Sequence, residues 1–238
     1  GIYTTASAEE AGYVIDHAEA PLVLVEGQAQ LDKVLARRGH LPGLRWVVTM
    51  RGGPALDDPG VLTWEQFLDR GNRVSDADFA ARGAALSGSD PATLIYTSGT
   101  TGIPKGVVLT HDNLAWTADQ ALGVFPIGPD DVLLSYLPLS HVAEQMYAVH
   151  VAVTFGYSVA FAESIEALRA NLAEVRPTLF FGVPRVWDKV AAGVRGRLAE
   201  LHGAKAAMAR WAMGSAQKAV LLRHAGREPG LGLAASYA

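Results

Sequence analysis

The amino-acid sequence predicts an α/β fold in which sheets and helices are layered. Short runs of β-branched and aromatic residues alternate along the chain with longer segments that open on serine or threonine helix caps. Half of the residues are hydrophobic and 18% are charged, so the chain has enough apolar material for a sizeable core and is not disordered. Strands that alternate with helices are typical of a sheet covered on both faces.

The strands are predicted from short apolar runs bounded by turn residues. They fall at residues 22–25, 46–49, 93–96, 106–109, 132–135, 158–162 and 178–181. Helices are predicted between most of them. Ser7 is followed by an acidic first turn, and Thr63 and Thr110 can cap two further helices. The other helices are predicted at residues 28–38, in the apolar run that ends near Gly156, and in two segments after Pro184.

The loop between the third and fourth predicted strands is rich in groups that bind phosphate. Its candidate phosphate-binding residues are Thr97, Ser98, Gly99, Thr100, Thr101, Gly102 and Lys105. Glycines let backbone amides approach an anion, hydroxyls donate hydrogen bonds to phosphate oxygens, and the lysine adds a positive charge. A plain exposed turn is the alternative. The P-loop pattern is not met, because Pro104 stands where that motif has the glycine before lysine and Gly106 stands where it has serine or threonine.

Residues 96–106, YTSGTTGIPKG, resemble the signature loop of the adenylate-forming superfamily, which includes acyl-CoA synthetases, luciferases and adenylation domains of peptide synthetases. Residues 1–10 and 136–145 are similar to two further segments of that superfamily. Residues 175–189 are similar to a stretch of long-chain fatty acyl-CoA synthetases, especially the bubblegum-type branch. The resemblance implies the large N-terminal domain of such an enzyme. The downstream Tyr-Gly-x-Thr-Glu motif is missing, so residues 1–238 are expected to form that domain only in part, incomplete at both ends and without the C-terminal catalytic domain.

The resemblance also implies an acid–thiol ligase that uses ATP, Mg²⁺ and coenzyme A. ATP would convert a long-chain fatty acid to an acyl-adenylate, and coenzyme A would then take the acyl group as a thioester. The loop at residues 97–105 would hold the β- and γ-phosphates, and the magnesium-binding glutamate is expected outside this chain. The chain alone is expected to be inactive. Two alternatives stay open: an enzyme that loads the pantetheine of a carrier protein, and a truncated nucleotide- or acyl-binding module without turnover.

A second candidate site surrounds His141, at the start of an apolar helix that Ser140 is predicted to cap. The resemblance implies that His141 lines the acyl site near the reacting carboxylate, and makes it the candidate catalytic residue. Glu144 is a further candidate for the substrate site, and it is placed either as a partner of His141 on the same helix face or as a solvated charge. Gln145 falls where the long-chain enzymes have a gate between the nucleotide and the acyl tunnel.

The composition of the chain and the spacing of its residues argue against several other kinds of site and partner. The chain has no cysteine, which rules out disulfides and thiolate chemistry and suits a cytoplasmic protein. The net charge of −4 disfavours nucleic acid as a partner. The histidines lack zinc-site spacing, so no metal ligand is assigned. The uncharged run at residues 146–162 is read as a buried helix and an interior strand, since a glycine interrupts it. Residues 204–224 are read as a basic amphipathic helix that either packs on the protein or rests on an anionic membrane.

Overall fold

The structure is a computed structural model that describes residues 1–97, 102–124, 126–228 and 230, and its mixture of helices and sheets confirms the predicted α/β class. The chain divides into two compact units, Gly1–Phe180 and Phe181–Ala238. All of the sheets in the described residues belong to the first unit.

The first unit begins with a parallel three-stranded sheet and two helices. These are helix α1 (Ala8–His17), strand β1 (Leu22–Val25), helix α2 (Gln28–Arg37), a 3₁₀ turn (Arg38–His40), strand β2 (Trp46–Thr49) and strand β3 (Val61–Leu62). The strand order is β1-β2-β3, with Leu22 opposite Trp46 and Val47 opposite Val61. Leu31 and Val47 are fully buried in the core between helices and sheet. Strand β3 was not predicted, because two residues are too short a run to show a pattern.

Two exposed helices follow, α3 (Trp64–Gly71) and α4 (Asp76–Ala84). Thr63 caps α3 as predicted, in a capping box whose other partner is Gln66. Helix α4 was not predicted. Its one large apolar side chain, Phe79, is 74% exposed, so its sequence carries no apolar stripe for a core.

A β-hairpin comes next, formed by antiparallel strands β4 (Pro91–Thr97) and β5 (Lys105–Thr110). The last residue of β4 and the first residue of β5 flank the predicted phosphate loop, as the sequence indicated. Helix α5 (His111–Val124) follows directly, and its cap is the predicted Thr110, which exchanges backbone and side-chain hydrogen bonds with Asn113.

The third sheet pairs strand β6 (Val132–Ser135) in parallel with strand β7 (Ser158–Phe161). The connection is one apolar helical run made of α6 (Val142–Gln145), a π-helical segment (Met146–Val151) and α7 (Ala152–Phe155). It ends at Gly156, whose φ of 74° is the left-handed conformation that glycine adopts most readily. Leu133, Met146 and Val151 bury their side chains against α5. The prediction that β7 is interior is wrong at its end, since Phe161 is 74% exposed.

The predicted strand at residues 178–181 is wrong. Only Leu179 forms a β-bridge, parallel to Leu133, after helix α8 (Leu168–Val175). The amides of Thr178 and Leu179 both donate to the carbonyl oxygen of Val132, and the Leu179 carbonyl accepts from the amide of Leu134. The pairing with β6 ends there and does not continue as a ladder.

The second unit contains helices α9 (Pro184–Ala199) and α10 (Gly203–His224). Pro184 is the first residue of α9, where its missing N–H costs nothing. The predicted single apolar face of α10 is wrong: Trp211 and Met213 are both exposed, and at 100° per residue they lie on nearly opposite sides of the helix. Membrane contact stays a prediction. Among the described residues, none of the helices combines the length and the apolar character that a bilayer span requires.

Candidate functional site

The loop end of the β4–β5 hairpin holds the described part of the predicted phosphate loop. Thr97 ends β4 and Lys105 begins β5, and the two residues are directly opposite each other in the register. Both side chains are exposed to solvent. Gly102 has a φ of 84°, a conformation that favours glycine. The other four predicted ligands, Ser98, Gly99, Thr100 and Thr101, lie outside the described residues.

Gly106 has a packing role that the sequence did not reveal. It is paired with Tyr96 across the hairpin, and a Cβ at Gly106 would lie 3.2 Å from Cζ of the Tyr96 ring. The ring therefore lies across the glycine next to the loop. Burial, and to a lesser degree the nearby Tyr13 phenol, raises the pKa of Tyr96 above its ordinary value. Tyr96 is thus a neutral hydrogen-bonding group at neutral pH.

The hairpin end opens onto a cavity of about 640 Å³. Three segments line it: the N-terminal residues together with Glu10 and Val14 of α1, the hairpin end with Thr97 and Pro104, and the turn with His141. The two predicted sites, which are 44 positions apart in sequence from Thr97 to His141, are therefore brought to one cavity. This common cavity is the candidate functional site.

His141 is the N-cap of α6, and its ring accepts a hydrogen bond at Nδ1 from the amide of Ala143 at 3.3 Å. The prediction that Ser140 is the cap is therefore wrong. Ser140 is buried, and its Oγ has no hydrogen-bond partner within the part of the chain that the structure describes. Because Nδ1 accepts, the neutral ring carries its proton on Nε2. His141 can therefore donate one hydrogen bond to an anionic oxygen.

Glu144 is buried and does not behave as either predicted alternative. Its carboxylate accepts a hydrogen bond from the Ser135 hydroxyl and another, at 3.3 Å, from the amide of Leu137. Both the pairing with His141 and the solvated charge are therefore wrong, because the carboxylate is turned towards the end of β6. Glu144 holds the turn that carries His141 through these two bonds. Its role at the substrate site stays a prediction.

Gln145 contributes a second bond to the same turn. Its Nε2 donates to the carbonyl oxygen of Leu139 at 2.7 Å. The bond ties the first turn of the helix to the loop that precedes it, and so supports the position of His141 between them. The gate assigned to Gln145 stays a prediction.

Two residues that the sequence reasoning missed contact the hairpin from α1. The hydroxyl of Tyr13 donates to the carbonyl oxygen of Pro104 at 3.1 Å. Nδ1 of His17 lies 2.8 Å from the hydroxyl oxygen of Tyr96. The four-residue spacing of Tyr13 and His17 places them on one helix face, but the sequence gives no sign of partners 91 and 79 positions away.

Comparison with known proteins agrees with this arrangement. Residues 1–231 match the AMP-binding enzyme family. The chain is 38% identical over 237 residues to the long-chain-fatty-acid–CoA ligase ACSBG2 of Xenopus laevis, a match that covers 96% of this chain and 32% of the relative. The chain thus spans about a third of the length of such relatives. These matches confirm the resemblance to the bubblegum-type branch.

Solved structures show the same fold. The anthranilate CoA ligase AuaEII, solved with anthranoyl-AMP, has a TM-score of 0.65 at 23% identity, over 78% of this chain and 35% of that one. ATP-bound MatB of Rhodopseudomonas palustris has a TM-score of 0.59 at 28% identity, over 79% of this chain and 34% of that one. The sequence match along nearly the whole chain and the shared fold lead to one conclusion: the chain belongs to the AMP-binding enzyme family.

Proposed function

We propose that the protein is an ATP-dependent long-chain fatty acid–CoA ligase, and that this chain supplies its phosphate-binding hairpin and part of its acyl site. The observation that carries the proposal is the pair Thr97 and Lys105, opposed at the loop end of the hairpin beside a cavity that Thr97 and His141 line. The names of the relatives support the substrate class.

The reaction has two steps. An oxygen of the fatty acid carboxylate attacks the α-phosphorus of ATP, the bond from that phosphorus to the bridging oxygen breaks, and pyrophosphate leaves. The sulfur of coenzyme A then attacks the acyl carbonyl carbon, the carbonyl–phosphate bond breaks and AMP leaves, which forms the thioester. Charge on the β- and γ-phosphates increases in the first step, so a cation and hydroxyl donors at the hairpin end stabilise it.

Each described residue of the site has a defined part in this scheme. The Lys105 ammonium and the Thr97 hydroxyl, both exposed, contact the oxygens of the leaving pyrophosphate. The Nε2–H of His141 donates to an oxygen of the carboxylate or adenylate, because Nδ1 is held as an acceptor by Ala143. A hydrogen bond to a charged oxygen orients it for attack.

The described residues do not form a magnesium site. No three His, Asp, Glu or Cys side chains among them are grouped to hold a metal. Glu10 lines the cavity, but its carboxylate accepts the amide of Ser7 in the capping box of α1. We assign none of the described residues to Mg²⁺.

The test replaces Lys105 with alanine in the full-length protein and traps the acyl-adenylate with hydroxylamine. Loss of one charge-stabilising group is expected to lower hydroxamate formation by roughly 10- to 1000-fold. Lys218→Ala, at an exposed lysine of α10, is the matched control and should leave the rate unchanged. Equal trapping by the wild type and Lys105→Ala would refute the assignment of the hairpin.

A further inference from the structure

Helix α1 is hydrogen-bonded to the hairpin on both sides of the phosphate loop. Tyr13 donates to the carbonyl oxygen of Pro104, the residue immediately before Lys105. His17 is bonded through Nδ1 to the hydroxyl of Tyr96, the residue immediately before Thr97. One helix face thus contacts both ends of the loop.

Ring packing reinforces the two hydrogen bonds. The Tyr13 and His17 rings are 5.3 Å apart, and each packs edge-on against Tyr96, at 6.5 Å and 5.7 Å between ring centroids. Edge-to-face contacts of this length are favourable and directional. The three rings form a cluster that fixes the orientation of Tyr96.

Helix α1 is itself firmly anchored, so it is a suitable support. Its first turn is closed by the reciprocal capping bonds of Ser7 and Glu10. Ile15, on the face opposite the solvent, is only 2% exposed and packs in the core beneath the three-stranded sheet. A group held by such a helix has little freedom to move with the loop.

We propose that Tyr13 and His17 are positioning residues that hold the two ends of the phosphate loop at a fixed separation. The proposal rests on the proposed function, since the loop is taken to bind the phosphates of ATP. Binding to side chains that are already held in position costs less conformational freedom than binding to side chains that are not. Tyr13 and His17 therefore act on the affinity for ATP through Thr97 and Lys105, and do not touch the nucleotide.

The experiment measures KM for ATP and kcat of hydroxamate formation in the full-length protein. Tyr13→Phe and His17→Phe each remove one hydrogen bond and keep a ring. Each is expected to raise KM for ATP by roughly 3- to 10-fold, the range of one hydrogen bond, with kcat within about twofold. His17→Asn restores a polar group near the position of Nδ1 and should recover most of the affinity. Asp16→Glu, at an exposed position of the same helix, is the control.

A second comparison separates positioning from general loss of structure. If Tyr13 acts through Lys105, Tyr13→Phe should change kcat/KM for ATP less than twofold in a Lys105→Ala background. The same fold-loss in both backgrounds, or KM for ATP unchanged in both single variants, would overturn the proposal. Absence of hydroxamate formation by the wild type would count against the proposed function alone. Calorimetric titration with ATP would then test the two residues, with weaker binding by Tyr13→Phe supporting their role and equal binding refuting it.

Discussion

Replacing Glu144 with alanine should destabilise the turn that presents His141. The carboxylate is the acceptor for the buried Ser135 hydroxyl and for the Leu137 amide. A buried donor left without an acceptor costs about 1–3 kcal/mol. The Leu137 amide is only half-buried and should cost less than the Ser135 hydroxyl, so the free energy of unfolding should fall by about 2–5 kcal/mol in total. Glu144→Gln should lower the free energy of unfolding by less than Glu144→Ala does. The amide oxygen of glutamine still accepts one of the two hydrogen bonds, whereas its amide nitrogen accepts none.

The assay is thermal unfolding followed by circular dichroism. At roughly 2–4 °C per kcal/mol for a chain of this size, Glu144→Ala should melt roughly 4–20 °C below the wild type, and Glu144→Gln in between. Glu174→Ala, at an exposed position of α8, should melt with the wild type. If Glu144→Ala kept the wild-type melting temperature, the two hydrogen bonds would not support the turn, and the argument from its burial would fail.

Two further predictions concern His141 and Tyr157. His141→Asn keeps a side-chain acceptor for the Ala143 amide but lacks the Nε2–H donor, so the melting temperature should change little. In adenylate trapping, kcat/KM for the fatty acid should fall roughly 10- to 100-fold. An unchanged kcat/KM would show that His141 is not part of the acyl site. Burial, with smaller contributions from Tyr147, Asp131 and Glu144, raises the pKa of Tyr157 to about 12. The unfolded chain has the ordinary tyrosine pKa of about 10, so it loses this proton at a lower pH than the folded protein does. The free energy of unfolding therefore falls as the pH rises from about 10 to about 12. Melting temperatures from pH 9 to 11 should therefore decline less steeply for Tyr157→Phe than for the wild type, and parallel declines would contradict the shift.

Three helix starts could be predicted because their signals are local. Ser7, Thr63 and Thr110 each bond a residue three positions on, within the window in which a capping pattern is visible. The hairpin was also predictable, since two apolar runs flank a loop of turn residues. The site residues at Thr97 and Lys105 follow directly from that hairpin.

The wrong predictions concern residues whose conformation depends on partners outside their own helix or strand. Glu144 is turned inward by Ser135, on a strand that precedes the helix, and helix periodicity gives no sign of that partner. The run at residues 178–181 is apolar enough for a strand, but Leu179 alone pairs with β6. The aromatic contacts of α1 with the hairpin join segments some 80–90 positions apart, so a single sequence carries no pattern for them.

The pairing within the hairpin joins residues that are close in sequence, whereas the contact of the hairpin with α1 joins residues that are far apart in sequence. Thr97 and Lys105 pair across eight positions, whereas the bond from Tyr13 to Pro104 closes 91 positions. The longer closure costs about 2 kcal/mol more in chain entropy by the logarithmic scaling of loop length. The hairpin ladder should therefore form early in folding and the contact with α1 late. In the folded protein, the same difference makes release of the Tyr13 and His17 contacts a partial opening that leaves both α1 and the hairpin ladder intact.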